Sequence, residues 1–142
     1  MSIQSVDVIY TAVATAENGR DGRVASDDGK LDVIVNPPKE LGGSGAGTNP
    51  EQLFAAGYSA CFQSALGVVG RQAKADLSDS RVTAKVGLGK TAGGGFGLTV
   101  ELAVSLPNVD EATAKTLVEK AHEVCPYSNA TRGNIKVDLT IV

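Results

Sequence analysis

The period of the hydrophobic positions changes several times along this chain, and each change marks an element. Val6 to Thr15 (VDVIYTAVAT) and Leu31 to Val35 (LDVIV) alternate as half-buried strands do. Between them Asp21-Gly22 and Asp28-Gly29 are reverse-turn dipeptides, so a meander of two or three strands is expected. The following stretch, PPKELGGSGAGTNP, is too rich in Gly and Pro for regular structure. Asn49-Pro50-Glu51 then reads as a helix start. Asn serves as N-cap, Pro takes the first position where its missing N–H costs nothing, and Glu faces the positive end of the dipole. This helix runs to about Lys74, and its first charge after Glu51 is Arg71. A helix apolar on nearly every side has to be buried on nearly every side. A chain of 142 residues has difficulty enclosing it alone, which points to a dimer.

Further on, Arg81 to Lys90 and Phe96 to Leu106 alternate as strands around the turn TAGGG. Asp110 to Val124 has helical period, with Leu117, Val118, Ala121 and Val124 on one side. Cys125-Pro126 closes that helix, because a residue before proline is pushed out of the helical region. Ile135 to Val142 reads as a final strand. Strands, long helix, strands, helix, strand is an α+β order rather than an alternating parallel sheet. No linker or repeat interrupts residues 1–142, so one domain is expected.

Composition narrows the function classes. Apolar residues make up 42 % of the chain, enough for a real core. Thirteen Lys and Arg against sixteen Asp and Glu leave a charge of −3, with no basic stripe for nucleic acid. No apolar run reaches the roughly 18 residues of a membrane span, and MSIQSVDVIY carries no basic-then-apolar signal. A soluble cytoplasmic protein without membrane or nucleic-acid partner is the simplest expectation.

Short motifs fail on inspection. Gly89-Lys90-Thr91 resembles the end of a phosphate-binding loop, but Ala84 stands where the first Gly is required. The Gly42–Gly47 run has Thr48 where a dinucleotide loop needs its third Gly. Asn129-Ala130-Thr131 fits a glycosylation acceptor, which has no meaning without secretion. His122, the single histidine, reads as structural or as support for another group. Cys61 and Cys125, 64 positions apart, form no CxxC pair and, with one His, no zinc cluster. They are either inert core thiols or a transient catalytic pair.

Cys61 poses a chemical problem. Buried among Phe54, Tyr58, Phe62, Ala65 and Leu66, its pKa would rise and leave it inert. To act as a nucleophile it needs a fixed cation, for which Arg20 and Arg23 in NGRDGR are the candidates. A buried arginine in turn needs an anion, and Glu51 could supply it. Glu51 and Cys61 are ten residues apart, about 15 Å along one helix axis. One guanidinium spans that only if the helix breaks near its start or if the residues come from different subunits, and the second fits the all-round apolar helix better.

The segments NGRDGR, SDDGKLDV, PPKELGG, GTNPEQLFAAGYSACF, GGGFGL and CPYSNATRGNI resemble the organic hydroperoxide resistance proteins of the Ohr/OsmC superfamily. The likeness covers essentially the whole chain, and the runs around Cys61 and Cys125 point to the Ohr branch. The resemblance implies an OsmC-like α+β fold of antiparallel sheets with a long buried central helix, in an intertwined homodimer. It further implies a thiol peroxidase in which Cys61 is the peroxidatic cysteine and Cys125 the resolving one. Arg20 and Glu51 would activate the thiolate and hold the peroxide. The implied reductant is a dihydrolipoyl group on a lipoylated protein, and no metal, haem or flavin is called for.

The apolar neighbours of Cys61 favour an alkyl or fatty-acid hydroperoxide over hydrogen peroxide, since a tail gains about 25 cal/mol per Å² of apolar surface buried. Phe96 and Tyr127 are candidate pocket residues, and the Gly42–Gly47 loop is either a lid or a surface connection. Two competing readings are a redox-sensing or ligand-binding module without turnover, and a structural dimer with inert thiols.

Overall fold

A computed structural model of the chain describes residues 3–142 and divides it into two compact units, one up to Pro50 and one of Glu51–Val142. The first is the expected meander: β1 (Ala14–Glu17), β2 (Gly22–Ser26) and β3 (Asp32–Val35), antiparallel in that order. Its first turn runs from Asn18 to Asp21, closed by the Asp21 N–H on the Asn18 carbonyl at 3.1 Å, with Asn18 and Gly19 at positive φ (59° and 55°). Asn and Gly tolerate the left-handed region that this tight turn demands, while Gly22 opens β2. The second turn places Gly29 at φ 74°, as its Asp28-Gly29 signal implied.

The strand expected over Val6 to Thr15 is largely corrected. Only Ala14 onward pairs as a strand, because β2 ends at Ser26 opposite Ala14, and a single hydrogen bond from the Asp27 N–H to the Val13 carbonyl at 3.0 Å lies beyond it. The residues before it alternate but join no strand among the described residues, and Ile9 and Tyr10 are 100 % and 79 % exposed. The Gly- and Pro-rich segment contains one turn of 3-10 helix, Lys39–Leu41. A parallel bridge from Val35 to Thr48 pins its far end to β3.

α1 (Pro50–Gln72), whose limits match the cap, proline and charge signals, lies in the second unit from Glu51 onward. The hairpin β4 (Arg81–Lys90) and β5 (Phe96–Ser105) follows, then α2 (Glu111–Val124), α3 (Pro126–Thr131) and β6 (Val137–Ile141). The sheet order is β4-β5-β6. β6 pairs with β5 in parallel, which corrects the expectation of purely antiparallel sheets. The chain crosses over through two helices between these strands, and a crossover of that length returns it in the same direction.

The core joins Tyr58, Phe62 and Leu66 of α1 to Leu102 and Val104 of β5 and Leu117 of α2. Within the chain α1 buries that one face, while Gln52, Ala56, Ala60, Ser64 and Val68 on the other are exposed. Burial on every side is therefore not reached inside a single chain. An 18-residue window of α1 also reaches a mean hydropathy of 1.3, enough by length and composition to cross a membrane. This amends the expectation that no apolar run reaches the length of such a span, by length and composition only. A third of that window is buried inside the protein.

Leu102→Ala should cost about 2–5 kcal/mol in chemical denaturation, because it opens a void in the fully buried centre of this core. Asp110 caps α2 by accepting from the Thr113 N–H at 2.7 Å, and the hydroxyl and N–H of Thr113 hold its carboxyl below the usual range. A depressed folded-state pKa contributes stability above the unfolded value, near 3.9, that is lost as pH falls through the folded one. Asp110→Ala should therefore lower the melting temperature at pH 7, with the difference shrinking progressively below about pH 4.

Candidate active site

α1 and α3 bring the two cysteines together. Cys61 lies midway along α1, one residue before the buried Phe62 and partly exposed itself. Cys125 ends α2 and begins α3, fully buried, in an extended conformation (φ −66°, ψ 122°). Pro126 enforces that break, and as the first residue of α3 it gives up no needed donor. The sulfurs stand 3.6 Å apart, both as free thiols. A disulfide needs about 2.05 Å, so a small approach suffices to join them.

Beside them lies a cavity of about 360 Å³ lined by Cys61, Ser64, Ala65, Val68, Val124 and Pro126. Apart from Ser64 and the thiol it is apolar. Burial pushes the Cys61 thiol up from its ordinary range; a backbone hydrogen bond from Tyr127 pulls it down, and the Cys125 thiol raises it again. None of these influences is a positive charge. The surroundings of Cys61 within its own unit thus favour the thiol over the thiolate.

The other expected site residues are distributed as follows. Glu51 occupies the first turn of α1, and α1 runs unbroken from Pro50 to Gln72, so a break between Glu51 and Cys61 is not available. Arg20 lies in the turn between β1 and β2 of the first unit. Arg23 is engaged within its own sheet, with its guanidinium bidentate on Asp32 at 2.6 and 2.7 Å. Tyr127 packs edge-on against Phe54 and tilted against Tyr58, with centroids 6.4 and 5.7 Å away. Gly57 makes this possible, because a Cβ there would stand 3.0 Å from the Tyr127 hydroxyl. Phe96 is 73 % exposed at the start of β5 and is not among the cavity residues.

A cluster of polar side chains under the cysteines went unread in the sequence. The Tyr58 hydroxyl meets Ser128 Oγ at 2.7 Å and Thr131 Oγ1 at 3.1 Å, and Ser128 Oγ meets His122 Nδ1 at 2.8 Å. Thr131 Oγ1 donates to the Ser128 carbonyl at 3.2 Å. Burial and the nearby Arg132 hold the His122 imidazole below its ordinary pKa. The available signal was spacing, since Tyr58 and Ser128 each stand three residues from a cysteine and so share its helix face.

Comparison with known proteins agrees with these features. Residues 42–140 match the family model described as OsmC-like protein. The chain is 55 % identical over 136 residues to an organic hydroperoxide resistance protein of Xanthomonas axonopodis pv. citri, covering 94 % of this chain and 95 % of that one. Among solved structures, an organic hydroperoxide resistance protein from Elizabethkingia anophelis superposes with a TM-score of 0.90 at 55 % identity, covering 96 % of this chain and 98 % of that one. The organic hydroperoxide resistance protein OhrB of Bacillus subtilis gives 0.87 at 45 %, covering 95 % and 100 %. The chain belongs to the OsmC-like family, on its organic hydroperoxide resistance branch.

Proposed function

We propose that the chain detoxifies organic hydroperoxides as a cysteine-based peroxidase. The observation that carries the reading is the pair of free thiols 3.6 Å apart at the wall of an apolar cavity. The names of its relatives support the same substrate class.

The Cys61 thiolate attacks the distal oxygen of ROOH, and the O–O bond breaks. Cys61 becomes a sulfenic acid, and the alkoxide takes a proton and leaves as ROH. The Cys125 thiol then displaces the sulfenic oxygen as water, forming the Cys61–Cys125 disulfide. A dihydrolipoyl group on a lipoylated protein reopens it by exchange, giving up two electrons and two protons and closing its own disulfide. An alkyl or fatty-acid tail seats against Ala65, Val68, Val124 and Pro126, where hydrogen peroxide gains nothing.

Activation of Cys61 falls to Arg20, with Glu51 as its anion. The family resemblance gives this role to Arg20, while Arg23 is held by Asp32 within its own sheet. The distance along an unbroken α1 favours a homodimer in which these groups come from different subunits. The exposed apolar residues before β1 and the open face of α1 favour the same assembly. A reducing cytoplasm suits thiols that must return to the reduced state.

Reduced protein titrated with cumene hydroperoxide should lose both thiols stoichiometrically, and much faster than with hydrogen peroxide, by intact mass and thiol counting. Equal rates would discard the cavity as the tail site, and no reaction would overturn the peroxidase. Cys61→Ser should abolish turnover, whereas Cys125→Ser should allow one oxidation and block lipoyl-driven recycling. Arg20→Ala should raise the Cys61 pKa toward the high value its burial sets. The first step then speeds up about tenfold per pH unit below that pKa, as the thiolate fraction grows. Ultraviolet thiolate absorbance against pH checks this, and an unchanged titration would remove Arg20 from the role.

A further inference from the structure

The polar cluster beneath the cysteines has a direction that its hydrogens determine. Four contacts link His122 Nδ1, Ser128 Oγ, the Tyr58 hydroxyl, Thr131 Oγ1 and the Ser128 carbonyl in series. Each contact requires its own proton, and the three hydroxyls hold only three. His122 Nδ1 has to supply the fourth. The carbonyl can only accept, so Thr131 donates to it, Tyr58 donates to Thr131, Ser128 to Tyr58, and His122 to Ser128. A neutral imidazole carrying its proton on Nδ1 satisfies every bond, and burial together with Arg132 favours the neutral ring.

This chain ties the same two helices that carry the sulfurs. Tyr58 and Cys61 are three residues apart on α1, and Cys125 and Ser128 are three apart at α3. The Tyr58–Ser128 hydrogen bond therefore runs alongside the Cys61–Cys125 contact, one helical turn away. α3 has only six residues and is too short to hold itself in place, while Tyr58 and Ser128 are both fully buried. We propose that the hydrogen-bond chain from His122 through Ser128 and Tyr58 to Thr131 is a positioning clamp that holds Cys125 within reach of Cys61. These four are positioning residues and act only through the cysteines. The inference deepens the peroxidase reading, but its test needs no peroxide.

The test is equilibration of the cysteine pair in buffers of reduced and oxidised dithiothreitol. There the two protein thiols pass two electrons and two protons to the cyclic disulfide of the reagent. Tyr58→Phe and Ser128→Ala should each shift the equilibrium toward the dithiol by about tenfold, or about 30 mV for this two-electron couple. The double variant should shift it by clearly less than the sum of the two single shifts, because both changes remove the shared Tyr58–Ser128 bond. Val100→Ala, a core substitution on β5, should lower stability and leave the exchange constant in place. Single variants within twofold of wild type, additive shifts, an equal shift in Val100→Ala, or a wild-type pair that never closes would each overturn the clamp. The chain has one histidine, so the ring ¹⁵N spectrum reads His122 alone. The Nδ1–H tautomer is expected, and the Nε2–H tautomer would overturn the direction of the chain. Failure of the hydroperoxide titration with these results intact would fault the peroxidase reading and not the clamp.

Discussion

The second unit is arranged around the break at Cys125-Pro126, where α2 stops and α3 starts inside the core. Proline removes the helical conformation from the residue before it, so Cys125 has to leave α2 in an extended conformation. The same proline then begins α3 without an orphaned donor. The chain is thereby redirected at a buried point, and its sulfur is set against the middle of α1. Were α2 to continue straight, Cys125 and Ser128 would follow its axis instead of α1. The sulfur pair, the apolar cavity and the hydroxyl chain all descend from this one backbone constraint.

Electrostatically, the arrangement is incomplete in one unit taken by itself. Desolvation is the largest influence on the Cys61 thiol, and a single backbone N–H from Tyr127 opposes it. In the proposed peroxidase, a low-dielectric wall that accepts an alkyl tail would also penalise the thiolate that attacks it. Only a cation that stays charged when desolvated reconciles the two, and guanidinium is the side chain with that property. In that proposal, affinity for apolar substrates and thiolate reactivity pull against each other.

The longer elements were legible because their periods are long enough to be unambiguous. α1, α2, β4 and β5 end within one or two residues of where alternation, caps and proline put them. The segment before Ala14 misled because alternation reports a capacity to pair and says nothing of whether a partner strand exists. α3 left no signal, as six residues complete too few turns to show a face. The direction of β6 was equally hidden, because it depends on the route taken by the intervening helices. At the site, the cysteines were legible from their context, whereas Ser128 and Thr131 were not. A hydroxyl in a short polar helical stretch looks like a solvated one, and only the fold reveals that it is buried against Tyr58.

The parallel pairing of β6 with β5 bears on how the protein is born. A hairpin completes itself as it leaves the ribosome, but this sheet stays one strand short until Val137–Ile141 has been made. Synthesis at about 5–20 residues per second separates Cys61 from Cys125 by several seconds. During that interval α1 lacks both the completed sheet and its second thiol. Cys61 is therefore made well before the thiol and the final strand that complete its surroundings.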